Sequence, residues 1–210
     1  MSRPVIILGA GGHARVVAAV LLAAGRSVVA VAAPEGAEEL AARLGASALT
    51  SDDAVLAFAP NAVELILGVG MVGPSAVRRR MTEKFRAAGF RFATLVHPAA
   101  FVDPTATLEQ GVVVMAGAVV QTGCRIGDSA IVNSGVVVDH DCQISPHVHL
   151  ATGCVLCGDV RVGEGSHVGA GATVIQGMRI GSGALVAAGA TVVRPVADGG
   201  RVMGIPARPF

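Results

Sequence analysis

Residues 108–126 read LEQGVVVMAGAVVQTGCRI, and every sixth position of the stretch (Leu108, Val114, Val120, Ile126) is aliphatic. The rhythm extends both ways. Upstream it meets Val102 and Val96. Downstream it passes through Val132, Val138, Ile144, Leu150, Leu156, Val162, Val168, Val174, Ile180, Val186 and Val192, making seventeen consecutive steps from Val96 without exception. Two residues before most steps the side chain is small, as at Ala118, Cys124, Ala130, Cys142, Cys154 and Ala172. Glycine recurs three residues after many of them, as at Gly111, Gly117, Gly123, Gly135 and Gly153.

A six-residue period of this length predicts a parallel β-helix. Alternation along each short strand sends the aliphatic and the small residue inward. Glycine at the corners permits backbone turns that side chains obstruct. Three hexads close one triangular coil, so residues 18 apart stack at about 4.8 Å. Composition agrees: 52% of residues are apolar but only 3% aromatic, with 28 glycines, which suits narrow, repetitive packing. The cysteines fit as packing residues. Cys124, Cys142 and Cys154 take inward positions, and the Cys154–Cys157 C-x-x-C has no second pair to complete a metal site.

Net charge is +1, from 16 basic and 15 acidic residues, which gives neither nucleic acid nor an anionic membrane a global electrostatic hold. The short apolar run Val5 to Leu8 stops at Gly9, too short for a secretory signal or a membrane span. A cytoplasmic protein is expected.

Before the repeat, strands and helices alternate. Residues 3–9 read as a buried strand, followed by a helix to about Gly25 and a strand from Ser27 to Ala32. Another strand is expected over 64–70, and a helix from Pro74 to Gly89 that carries Arg78, Arg79 and Arg80. This pattern predicts a small α/β, Rossmann-like domain over residues 1–92. Gly9-x-Gly11-x-x-Ala14 fits a dinucleotide fingerprint, in which backbone N–H groups and a helix N-terminus approach phosphate. The acidic residue expected at the end of the second strand is missing: Ala32-Ala33-Pro34 stands there, with Glu35 only afterwards. A redox NAD enzyme is thereby disfavoured, while diphosphate binding through Gly11, Gly12, His13 and Gly70 remains open.

One hexad breaks the bland repeat: Val138-Asp139-His140-Asp141-Cys142-Gln143. A local rule broken without structural benefit points to function. Histidine titrates near neutrality, and a neighbouring carboxylate fixes its tautomer and raises its basicity, as removal of a proton from an attacking amine requires. Gly158 lies 18 residues after His140, hence one coil above it, where its N–H is placed to hold a developing oxyanion. A zinc site built on His147, His149 and His167 is the competing reading.

The hexapeptide run, over roughly residues 96–193, resembles the left-handed β-helix acyltransferases, which implies handedness, a trimer and an acyl-CoA groove between prisms. Gly9-Ala10-Gly11-Gly12-His13-Ala14-Arg15-Val16-Val17 ahead of such a prism narrows the resemblance. It is similar to the sugar O-acyltransferase family, which includes sialic acid O-acetyltransferases and N-acetyltransferases of nucleotide-linked 4-amino sugars. Ile131-Val132-Asn133, Val138-Asp139-His140-Asp141-Cys142, His147-Val148-His149-Leu150-Ala151-Thr152-Gly153 and the terminal Gly204-Ile205-Pro206-Ala207-Arg208 follow its motifs.

The resemblance implies His140 as general base, Asp141 as its acidic neighbour and Gly158 as amide donor to the acetyl carbonyl. It implies Asn133, His149, Gly158, Gly204, Pro206 and Arg208 along acetyl-CoA, and the nucleotide sugar on the first domain. No metal is expected; the gamma-class carbonic anhydrases that bind zinc between β-helix subunits lack such a domain. The expected organisation is an α/β domain over 1–92, a left-handed β-helix over 93–194 and a tail over 195–210 near CoA. The expected reaction is acetylation of the 4-amino group of a GDP- or UDP-linked 4-amino-4,6-dideoxy sugar, leaning towards GDP-perosamine, for surface polysaccharide or glycan synthesis. The expected assembly is a homotrimer with active sites between subunits. Sugar O-acetylation, or nucleotide-sugar binding without catalysis, are the alternatives.

Overall fold

The computed structural model describes residues 3–73 and 76–210. Its first part is a four-stranded parallel sheet of β1 (Val5–Leu8), β2 (Val28–Ala32), β3 (Ser47–Leu49) and β4 (Glu64–Leu67), in the order β3-β2-β1-β4. Three helices connect or follow the strands: α1 (Gly12–Ala23), α2 (Ala37–Leu44) and α3 (Val77–Ala87). β1 is fully buried, as an all-apolar run covered on both faces must be. The expected strands and the first helix form within a few residues of their anticipated bounds. The expected start of the third helix at Pro74 lies outside the described residues; from Val77 it runs as anticipated.

Several elements of the α/β unit went unanticipated, among them a 3-10 turn over Asp52–Ala57. α2 is only eight residues long and begins after Gly36, whose φ is +73°. β3 follows it as a three-residue edge strand. α2 comes directly after the Pro34-Glu35-Gly36 run, which reads as a plain turn.

From Leu95 the chain winds into two-residue strands, β5 (Leu95–Val96) to β21 (Thr191–Val192), recurring every six residues. Each ends on one of the seventeen aliphatic positions. They stack in parallel register 18 residues apart, for example Val137 with Val119 and with Val155. Three sheets result, and together they make a left-handed parallel β-helix. The first face holds Leu95–Val96, Val113–Val114, Ile131–Val132, His149–Leu150, His167–Val168 and Leu185–Val186. The second runs from Phe101–Val102 through Val137–Val138 to Thr191–Val192, and the third from Thr107–Leu108 to Arg179–Ile180. The interior is a column of Val, Ile, Leu, Ala and Cys, with Cys124, Cys142 and Cys154 wholly buried as free thiols. Beyond the last coil, β22 (Arg201–Met203) and β23 (Arg208–Pro209) fold back over the end of the first face.

The α/β unit sits on the first face. Leu95, Val113 and Met115 share one buried cluster with Val5, Ile7, Ala14, Val17 and Ile66. The segment Gly68 to Val72 after β4 is held against the prism by the contact of Met71 O with His149 Nδ1.

Candidate active site

Two groups of polar residues emerge, on different corners of the prism. The first follows β12 (Val137–Val138), where the chain turns from the second face to the third. Asp141 occupies the left-handed position usually given to glycine at these corners, with φ +61°. Aspartate tolerates that conformation better than most residues, at a cost of about 1–2 kcal/mol. The turn brings Asp141 Oδ2 to 2.9 Å from His140 Nδ1. A carboxylate accepts, so Nδ1 carries the proton and Nε2 presents its lone pair. The Asp141 hydrogen bond, helped by the charges of Asp139 and Asp141, raises the imidazole pKa above its ordinary 6.5.

Two glycines make room for this pair. A Cβ on Gly123, one coil below, would fall 2.5 Å from Asp141 Oδ1. On Gly158, one coil above, it would fall 2.4 Å from His140 Cε1 and Nε2. The imidazole therefore lies directly over the Gly158 backbone. Stacking is set by Asp159 N–H, which donates to the His140 carbonyl at 2.9 Å, while Cys157 N–H donates to Val174 at 3.0 Å. The Gly158 N–H between them has no acceptor among the described residues, so a donor stands free beside the imidazole.

The second group lines a cavity of about 920 Å³ between the α/β unit and the prism. Its walls are the β1–α1 loop (Gly9 to His13), Ala33 to Glu35 after β2, the segment Gly68 to Val72 after β4, and Asn133, Ser134, His149 and Thr152 of the prism. α1 begins at this cavity with no side-chain cap and no acidic residue in its first turn. Its free N–H groups and positive dipole end suit an anion. Gly70 packs on the His13 side chain. His13 is held down to about 3, first by burial and then by the charges of Arg78 and His149, so its imidazole is neutral.

His149 lies under the β4–α3 loop. A backbone carbonyl can only accept, so the 2.8 Å contact to Met71 O places the proton on Nδ1. Nε2 then accepts from Asn133 Nδ2 at 3.2 Å. Burial, then His167, pushes His149 down to about 4. The rings of His149 and His167 stand edge to face with centroids 4.8 Å apart. Among the described residues no group of three or more His, Cys, Asp or Glu is placed to hold a metal ion.

One cavity thus gathers Gly11, Gly12, His13, Gly70, Asn133 and His149, joined by Glu35, which the sequence reading had set aside. His140, Asp141 and Gly158 form their own cluster at the neighbouring corner. Gly204, Pro206 and Arg208 belong to neither. They lie at the C-terminal end of the prism, where Ala207 N–H donates to the Thr191 carbonyl at 2.8 Å and Thr191 N–H to Gly204 O at 3.0 Å. Sequence reasoning noted Arg78 only as one of three consecutive basic residues on a helix. It is 1% exposed and reaches backbone carbonyls of both parts of the chain, Val69 and Ser129. No spacing rule announces a partner 51 residues away.

Comparison with known proteins agrees with this architecture. Residues 4–85 match the PglD N-terminal domain, and residues 105–140 the bacterial transferase hexapeptide family of six repeats. No curated protein sequence matches the chain. Among solved structures, a variant of perosamine N-acetyltransferase from Caulobacter crescentus, in complex with CoA and GDP-perosamine, is 36% identical. It has a TM-score of 0.90, over 100% of this chain and 98% of that one. The acetyltransferase domain of PglB from Neisseria gonorrhoeae, in complex with acetyl coenzyme A, is 35% identical, with a TM-score of 0.88 over the whole of both chains. WeeI from Acinetobacter baumannii, at 20% identity and a TM-score of 0.83, shares the fold. With both halves matched and the full length covered, the chain belongs to the nucleotide-sugar N-acetyltransferases, acetyl-CoA-dependent enzymes that join a PglD-type N-terminal domain to a hexapeptide-repeat left-handed β-helix.

Proposed function

We propose that this enzyme acetylates the 4-amino group of a nucleoside diphosphate-linked 4-amino-4,6-dideoxy sugar, GDP-perosamine or a UDP-linked counterpart, for surface polysaccharide or glycan synthesis. The observation that carries the mechanism is the His140–Asp141 pair lying over Gly158 with an unpaired N–H beside it. The amine nitrogen attacks the thioester carbon while His140 Nε2 takes its proton. Asp141 holds the tautomer and stabilises the imidazolium. The carbonyl oxygen gains negative charge, and the Gly158 N–H is its donor. Collapse breaks the C–S bond, and the CoA sulfur leaves with a proton returned from His140.

The sugar nucleotide's diphosphate belongs at the N-terminus of α1, against Gly11, Gly12, His13 and Gly70. Asn133 and the neutral His149 supply uncharged polar contacts to acetyl-CoA, and Gly204, Pro206 and Arg208 take its far end. In this reading residues 1–92 bind the sugar nucleotide, 93–194 form the catalytic prism and 195–210 cap the CoA groove.

One chain leaves the His140 corner and the cavity apart, and a homotrimer joins them. The second face lies between the Asn133 and His140 corners, and its outward positions Phe101, Val119, Val137 and Val155 are apolar, with Thr173 and Thr191 on the last two coils. A head-to-tail contact closing after three copies buries such a column and sets one subunit's His140 beside the next subunit's cavity. Val137→Arg should yield monomers on light scattering and little turnover. A fully active trimer from that variant would refute the shared site. Acetyl-CoA and sugar nucleotides are cytoplasmic metabolites, so the reading implies a cytoplasmic enzyme. Among the described residues no helix is long and apolar enough to cross a membrane.

The direct test offers acetyl-CoA with GDP-perosamine, a UDP-linked 4-amino sugar and a 4-hydroxy analogue, following CoA release. Turnover should require the amino group; acetylation of the hydroxy sugar alone would convert the assignment to O-acetylation.

A further inference from the structure

Arg78 stands in the first turn of α3 and is almost wholly buried. Its Nη1 donates to Val69 O at 2.5 Å and its Nη2 to Ser129 O at 2.9 Å, while Nε is buried without an acceptor. No carboxylate pairs with it among the described residues. Asp128, the acidic group whose charge reaches it, is already paired with Arg86. Burial pushes the guanidinium pKa down to about 10, so it remains a cation at neutral pH. A buried charge lacking a counter-charge is costly, and two carbonyl dipoles offset only part of that cost.

The location of this unbalanced charge is informative. Its field acts on His13 and His149, both in the cavity wall. Val69, which it grips, is also wall. The uncapped end of α1 adds positive potential to the same space. Glu35 is the one carboxylate in that wall; it is exposed, beyond β2, and forms no ion pair with Arg78.

We infer that Arg78 is left without a protein counter-ion because the diphosphate of the bound ligand supplies one. It acts through space and through its hold on Val69, as a positioning residue that tunes the cavity for doubly charged nucleotides. This rests on the nucleoside diphosphate reading given above.

The test is a calorimetric titration of guanosine, GMP and GDP, and of uridine, UMP and UDP, into the wild type, Arg78→Met and Arg78→Lys. Wild-type affinity should rise with each phosphate. In Arg78→Met the diphosphate should bind about tenfold more weakly or worse, and the nucleoside within about twofold of wild type, because only the charged part of the ligand feels the missing cation. Arg78→Lys, which keeps the charge, should keep the gradient. A loss of equal size for nucleoside, monophosphate and diphosphate would make Arg78 a plain clamp and overturn the inference. Should the Met variant fail to fold, a flattened gradient in the Lys variant with nucleoside binding intact does the same. A wild type that binds none of the six overturns the cavity reading, and this inference with it.

Discussion

His140→Ala should lower kcat by about a hundred- to ten-thousand-fold, the range associated with losing a positioned general base, and leave CoA affinity nearly unchanged. The affinity is expected to survive because, in the proposed mechanism, the imidazole meets the reacting amine rather than the bulk of the cofactor. The pH profile supplies a second, independent sign. A base works unprotonated, and the Asp141 hydrogen bond raises the His140 pKa above 6.5. The pH dependence of kcat/KM should therefore climb through an inflection above 6.5 and level off on the alkaline side. Asp141→Asn keeps an acceptor for Nδ1 but removes the negative charge that favours the imidazolium, so its inflection should move to lower pH and its plateau should fall. Wild-type turnover in His140→Ala, measured by thiol release from acetyl-CoA, would end the assignment.

Gly158→Ala should be nearly as damaging to turnover, about a hundredfold or more, while barely changing the melting temperature. The backbone at Gly158 is not in the left-handed region, so alanine fits the chain itself. The new methyl would sit 2.4 Å from two atoms of the imidazole, which must move. The His140 side chain is 46% exposed and can swing into solvent at little cost, which spares stability and removes the base. If both changes act on one group, the double variant His140→Ala/Gly158→Ala should be hardly worse than either single one. A stable Gly158→Ala enzyme with ordinary kcat would show that the ring does not work from this position.

The prism was legible because one residue in six had to be aliphatic wherever the chain turned inward. Seventeen strands end where that rhythm places them, with no long loop to interrupt the count. The His140–Gly158 stacking followed from the same arithmetic. The separation of the two polar clusters was not drawn from the sequence, although Asn133 and His140 lie seven residues apart, about one hexad, and turn different corners. The α/β unit was harder to read. Its main strands announced themselves as apolar runs, but α2 is too short for its period to stand out, and β3 is half of an edge. Arg78 was invisible because its burial comes from the meeting of α3 with the prism, a tertiary event that neighbouring residues do not encode. Glu35 was passed over because the chain bends at Pro34 and carries it into the cavity wall by a route that strand-end counting does not follow.

The stacking of identical coils has a consequence for how such an enzyme can change length. Whole turns of 18 residues are the unit of insertion or loss, and each one shifts the C-terminal cap by about 4.8 Å along the axis. The span from the reacting imidazole to that cap is in effect a notched ruler. Adding a notch above Gly158 would leave the His140 corner untouched and carry the segment proposed to hold the far end of the cofactor out of reach. An insertion of six or twelve residues would keep the aliphatic side chains inward but carry every later residue onto a different face, and one that is not a multiple of six would break the inward rhythm. Across descendants of this chain, tolerance to length change should follow that eighteen-residue quantum.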